Sequence, residues 1–399
     1  MVDTAPARTA TANSRKRRTR WILIAGGSLL ALVVVFHLGG GWYFSNELIS
    51  SAFEPEGPQL HVDATVVAVN NDTITLNLVD ESEEPATPGT FGLHWDDGYG
   101  QISGEVVIEG DTVTRSFTLL TGAAPATGIE VDVQGFAFPS DPQTAFGLDY
   151  DDVRYDTPLG EMDAWLVPAE GATTWAVVVH GKGVDERETL RMLPTLHEQG
   201  MTSLVIRYRG DEGQPLDPSG YYRYGLTEWE DVHGAVAHAV NGGAEEVVLV
   251  GYSTGAAVAS SFLFQSDLAD LIDAVVFDAP NIDLEQAVDL GASQRSLPVV
   301  GGPIPGTLVA TAKALTAAQL DFSWSEFDYL ARADEYSHPM LVFHGTPDET
   351  VPVEVSRTLA EKRPDLVTYV ETSGEHVGSW NADPAAYEAA LRTFLSQHG

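Results

Sequence analysis

The first strong pattern along the chain is a gap in charge. Trp21 to Phe44 runs for 24 residues without Asp, Glu, Lys or Arg. At ~1.5 Å per residue a helix of that length covers about 36 Å, enough to cross a ~30 Å hydrocarbon core with some tilt. Trp21 at one end and Trp42, Tyr43 and Phe44 at the other stand where interfacial aromatics belong. His37, with no second span to supply a partner, reads as a tolerated neutral imidazole. Beyond this run the pattern changes to short alternating stretches: His61–Val69, Thr73–Val79, Gly104–Glu109, Thr112–Leu119 and Ile129–Gly135. Turn signals such as Asn70-Asn71-Asp72 and Gly110-Asp111 separate them, which predicts an antiparallel β module of five or six strands over residues 45–150. The aromatic and glycine-rich stretch Thr87–Gly100 reads as tight turns against a core.

From about residue 153 the rhythm becomes strand and helix in alternation. Trp175–Val179, Ser203–Tyr208, Glu246–Gly251, Ala274–Asp278, Met340–His344 and Thr368–Glu371 are short apolar runs. Helix-length segments lie between most of them, including Asp185–Gly200, Gly225–Asn241, Gly255–Leu263, Val353–Arg363 and Pro384–Gln397. Continuous apolar strands joined by helices predict an α/β fold, a mostly parallel sheet with helices on both faces. The two earlier runs, Val153–Asp156 and Met162–Val167, predict an antiparallel leading edge. The longest interruption predicts a small cap over the sheet's carboxyl edge at about 283–330, centred on Leu297–Gln319. The expected order is thus a basic tail at 1–20, a transmembrane helix at 21–44, a β-rich accessory domain at 45–150 and the α/β domain at 151–399.

Charge sharpens this division. The chain of 399 residues has 21 Lys+Arg against 58 Asp+Glu, a formal charge of −37. Yet residues 1–20 hold six basic residues and one acid, Asp3. A basic cluster ahead of an apolar span puts the N-terminus in the cytoplasm and everything after Phe44 outside, anchored in the cell membrane by a single pass. A cleaved signal peptide would carry a shorter apolar core and a small-residue A-x-A site, and none follows here. So acidic a chain repels phosphate, which argues against nucleic acid as a partner. With 0 cysteines, disulfides, thiol nucleophiles and thiolate metal sites are excluded. Acidic clusters at Asp80–Glu84 and at Asp149, Asp151 and Asp152 lack an ordered calcium loop and read as solvated faces.

The chemistry gathers at one pentapeptide. Glu245–Val250 runs into Gly251-Tyr252-Ser253-Thr254-Gly255 and then into Ala256–Ser261, which is strand, G-x-S-x-G, helix. A serine on so sharp a turn occupies a strained backbone conformation, and flanking glycines avoid the clash. Its hydroxyl needs a base. His376, in Gly374-Glu375-His376-Val377-Gly378, lies between the last strand and the terminal helix; His344, His233 and His238 read as structural. The base in turn needs a carboxylate, which Asp348 supplies from the turn after the penultimate strand, with Asp278 as the competing acid. Oxyanion donors are expected from the backbone N–H groups of Thr254 and of Lys182, the latter in His180-Gly181-Lys182-Gly183, with His180 fixing that loop. Tyr252, Tyr221, Tyr222, Trp324 and Trp380 are the aromatics expected near the pocket.

These motifs, together with RYRGDEG (207–213), YGLTEWEDV (224–232) and HGTPDETVP (344–352), resemble a serine hydrolase of the α/β-hydrolase superfamily over residues 153–399. The likeness is nearest to the Bem46-like and prolyl-oligopeptidase-like branch, and it implies the nucleophile–acid–base order Ser253, Asp348, His376. It further implies acyl transfer to water through an acyl-serine, with no cofactor and no metal. The expected substrate is a small-molecule or lipid-like carboxylic ester. Peptide hydrolysis, or a cell-envelope binding protein that has lost turnover, are the alternatives.

Overall fold

The computed structural model describes residues 9–57, 62–79, 84–298 and 301–398. Two compact units form: one holds the chain up to Phe53 together with Ala292–Phe322, the other Glu54–Gly291 and Ser323–Gly399. In the first, the helix Thr9–Leu48 runs unbroken through the charge-free stretch and is long and apolar enough to cross a bilayer. Trp21, Ile22, Leu23 and Ile24, which point in successive directions round the helix, are all exposed.

Within this unit, part of the segment expected as a cap forms a helix pair with the N-terminal helix. Gly306–Leu320 packs lengthwise on the end of Thr9–Leu48, with Leu308 at Gly40 and Thr311 at Gly41. Small residues on both helices let the backbones approach closely. Ser45 and Thr316 share a buried hydrogen bond of 2.9 Å, Gln319 donates to Ser45 at 2.8 Å, and Phe53 stacks on Phe322. His37 also departs from expectation, because it has a partner. Its Nε2 lies 3.0 Å from Thr307 Oγ1 and its Nδ1 2.9 Å from the Val33 carbonyl.

The second unit begins with a closed barrel of six antiparallel strands. These are β1 (Ala64–Val69), β2 (Thr73–Leu78), β3 (Phe91–Trp95), β4 (Gly98–Glu109), β5 (Thr112–Gly122) and β6 (Glu130–Gln134). They are ordered β1-β2-β5-β4-β3-β6, with β6 pairing back to β1. Alternate inward residues, among them Val66, Ile74, Leu76, Leu93, Ile102 and Val133, fill the interior. The stretch expected as tight turns is instead strand β3, the turn Asp96-Asp97 and the start of β4. Glycine hid the alternation there. Gly98 sits under the Trp95 ring and Gly100 under Phe117, so a side chain at either position would collide with the aromatic that covers it. Residues 80–83 of the first acidic cluster lie outside the described residues.

The main sheet has eight strands: β7 (Asp151–Thr157), β8 (Gly160–Val167), β9 (Thr174–Val179), β10 (Thr202–Ile206), β11 (Glu246–Tyr252), β12 (Ile272–Asp278), β13 (Met340–Gly345) and β14 (Val367–Thr372). Their order is β14-β13-β12-β11-β9-β10-β8-β7. The strands from β10 to β14 pair in parallel, while β7 and β8 form an antiparallel edge, so the sheet is mixed. Runs such as Val177–Val179, Val247–Val250 and Leu341–Phe343 are buried on both faces. From β9 the chain first adds β10 on one side and then returns to add β11 on the other. Such a reversal opens a crevice at the carboxyl ends of β9 and β11, the usual place for a ligand in an open α/β sheet.

Candidate active site

Ser253 stands at that crevice, between β11 and the helix Thr254–Gln265. Its backbone has φ 47° and ψ −113°, a conformation that side-chain-bearing residues rarely adopt. The surroundings hold it there. Ser253 N–H donates to the Asp278 carbonyl at 2.9 Å, and the Ser253 carbonyl accepts from Asn281 N–H at 3.0 Å. Both motif glycines are required by contact. A Cβ at Gly251 would lie 2.7 Å from Ala256 N, and one at Gly255 would lie 2.3 Å from the Val179 carbonyl. The elbow therefore exists because the helix start is pressed against both β11 and β9.

Asp348 and His376 come from the turns after β13 and β14, and the structure brings them to Ser253. His376 Nε2 is 2.8 Å from Ser253 Oγ, and His376 Nδ1 is 2.7 Å from Asp348 Oδ2. Asp348 Oδ1 accepts from the N–H groups of Thr350 and Val351, each at 2.8 Å. Burial alone would raise the Asp348 pKa, but hydrogen bonds from His344, His376 and the Val351 N–H outweigh it and hold the carboxylate well below its usual range. His344, read from sequence as structural, is fully buried and places Nε2 3.1 Å from Asp348 Oδ2. It therefore meets the same carboxylate oxygen that faces His376.

Several residues around this line had no signal in the sequence. Arg191, buried below the histidine loop, donates through Nη1 to the carbonyls of Val377 (2.9 Å) and Gly135 (3.3 Å) and to Asn381 Oδ1. Nothing in its spacing marks it, since these partners come from segments distant in sequence. Glu188 accepts the Gly181 N–H at 2.8 Å, and Gly181 lies against the Ser253 Cβ. That engages the Gly181 donor. Thr254 is the first residue of its helix, where N–H groups lack intrahelical acceptors. The Lys182 ammonium lies over the Tyr222 ring, 5.5 Å from its centroid; burial lowers its pKa while Glu56 opposes the shift.

His180 is wholly buried, with Nε2 3.0 Å from Asp211 Oδ2 and Nδ1 2.8 Å from the Gly181 carbonyl. Burial disfavours its charge, but Asp211, the Gly181 carbonyl and Glu188 together push its pKa up to about 9. Asp278, the competing acid, is buried behind the elbow, where burial drives its pKa up to about 6 against the pull of Arg191, Ser379 and Tyr387. Three of the aromatics expected near the pocket are placed as follows. Tyr252 is in the core, Trp380 packs on Phe138 and Tyr222 lies under Lys182. The cavity that reaches His376, of about 740 Å³, is lined by Phe91 and Phe136 instead. Among the described residues, no three His, Asp or Glu side chains cluster as a bound metal ion would require.

A family described only as a domain of unknown function, DUF8805, matches residues 65–134, the span of the barrel. Comparison with curated protein sequences finds no match. Among solved structures, an esterase of Pyrococcus furiosus is similar at 20% identity, over 65% of this chain and 97% of that one, with a TM-score of 0.51. A puromycin-hydrolysing peptidase of Mycobacterium tuberculosis is similar at 18% identity, over 87% of this chain and 56% of that one, with a TM-score of 0.48. The first likeness joins the sheet order and the serine elbow in a single conclusion: the larger unit carries an α/β-hydrolase fold.

Proposed function

We propose that this protein is a serine hydrolase that cleaves carboxylic esters through an acyl-serine intermediate. The observation that carries the reading is the hydrogen-bonded line from Ser253 through His376 to Asp348, 2.8 and 2.7 Å long, with its serine on a strained elbow. Ser253 Oγ attacks the ester carbonyl as His376 Nε2 takes the hydroxyl proton. The negative charge then on the carbonyl oxygen is met by the backbone N–H groups of Thr254 and Lys182. As the tetrahedral centre collapses, the carbon–alkoxy bond breaks and His376 passes its proton to the departing alcohol. Water then enters, gives a proton to His376 and bonds to the acyl carbon; release of the acid returns that proton to Ser253. Asp348 holds the imidazole tautomer and balances its transient positive charge.

The basic N-terminal flank and the 24-residue charge-free run support attachment to the cell membrane by one helix, with the hydrolase on the outer side. The resemblance to the Bem46-like and prolyl-oligopeptidase-like branch belongs to the same reading. Ester hydrolysis is favoured over peptide hydrolysis by the largely apolar wall of the His376 cavity. Turnover of p-nitrophenyl acetate tests the proposal. Ser253→Ala and His376→Gln should each reduce kcat by on the order of 10⁶, and an undiminished Ser253→Ala would reject it.

A further inference from the structure

The cavity beside His376 has two walls of different origin. One is the loop after β14, residues 373–378, with Pro347. The other comes from the barrel and the segment leaving it, and its apolar members include Leu78, Pro88, Phe91, Ile108 and Phe136. Ile108 is 60% exposed, although a large aliphatic side chain on a small barrel gains nothing from facing water.

This wall is fixed in place. Arg115, 1% exposed inside the barrel, donates to the carbonyls of Pro85 (3.0 Å), Thr87 (2.8 Å) and Gly89 (2.6 Å), which shapes the loop that carries Pro88. Thr90 N–H donates to the Asn381 carbonyl at 2.8 Å, and Asn381 Nδ2 donates to the carbonyls of Thr90 (2.7 Å) and Gly135 (2.8 Å). Arg191 ties Gly135 to Val377, next to the proposed base. The barrel and the histidine loop are thus knitted together by backbone acceptors on both sides, which is how a binding surface is preorganised.

We infer that the barrel is the specificity wall of the active site and seats the alcohol portion of the substrate, a neutral ester with an apolar alcohol. This deepens the ester-hydrolase reading and rests on it. The side of the reaction follows from the lining. The lining includes His376, and the group that must lie within reach of His376 as the ester bond breaks is the departing alcohol. Three carboxylates on the cavity, Glu84, Glu188 and Glu375, against one cation, Arg191, in a chain of charge −37, disfavour an anionic leaving group.

Two matched ester series test this on the full-length chain in detergent: acetates of ethanol, butanol, hexanol and octanol, and ethyl esters of acids of the same lengths. Each methylene seated on an apolar wall is worth up to about fourfold in kcat/KM. The wild type should therefore favour octyl over ethyl acetate. In Ile108→Asp and in Leu78→Ser, each checked for folding by its thermal midpoint, the octyl-to-ethyl ratio should fall about tenfold, mostly through KM. The acyl-length profile should keep its shape. An alcohol-length profile like that of the wild type in both variants overturns the inference, as does a loss confined to the acyl series. A wild type that turns over no member of either series rejects the hydrolase reading itself, a result distinct from either of these.

Discussion

Each carboxylate near the serine is assigned by its environment. Asp348 is surrounded by donors that favour its ionised form, whereas Asp278 lies in a buried pocket that opposes ionisation. Asp348→Asn should lower kcat by about 10⁴ with little change in KM, because the amide no longer holds the required imidazole tautomer. Steady-state kinetics check this. Asp278 has the opposite linkage. Its folded pKa of about 6 lies above the ordinary 3.8, so its contribution to stability is fully present below pH 3.8 and is lost as pH rises through 6. Asp278→Asn removes that loss, and relative to wild type it should gain up to about 3 kcal/mol between pH 4 and pH 8. Denaturant melts at the two pH values measure the difference. Ser253, His376 and Asp348 were legible in the sequence because each sits in a short motif at a strand end. Arg191, Glu188 and His344 were not, since their roles are set by the tertiary partners they meet.

The serine elbow is the element where local rules and packing agree most closely. Gly255→Ala would drive a methyl into the Val179 carbonyl and should cost about 3 kcal/mol or more, read as a fall in the denaturation midpoint. The pair Thr9–Leu48 and Gly306–Leu320 is held mainly by small residues and one buried hydroxyl pair. Thr316→Leu should separate it, and limited proteolysis should then cut within 295–322 faster than in the wild type. Parallel strands were readable as continuous Val and Leu runs bounded by helices. Strand β3 was missed because Gly92, Gly98 and Gly100 leave three positions of its hairpin without side chains, which interrupts the period-two hydropathy. The glycine, proline and alanine content of 297–319 marks an interruption of the strand–helix alternation but does not say what the segment will cover.

At the scale of the whole molecule, the larger unit holds one hydrophobic core inside the barrel and another against a face of the main sheet, among the described residues. Their joint product, the cavity at His376, is invisible in sequence because Leu78 and Ile108 meet residues 373–378 only after folding. The charge pattern, by contrast, could be read at once, since a cationic start before an apolar helix and an acidic remainder needs no contacts to interpret. The central claim is that Ser253 is the activated nucleophile. Its most direct test is the site of covalent modification by a fluorophosphonate, mapped by peptide mass spectrometry on the full-length chain. The account predicts one stoichiometric adduct on Ser253, formed far more slowly in His376→Gln and lost in Ser253→Ala. An unreactive wild type, or an adduct on another residue that persists in Ser253→Ala, would contradict it.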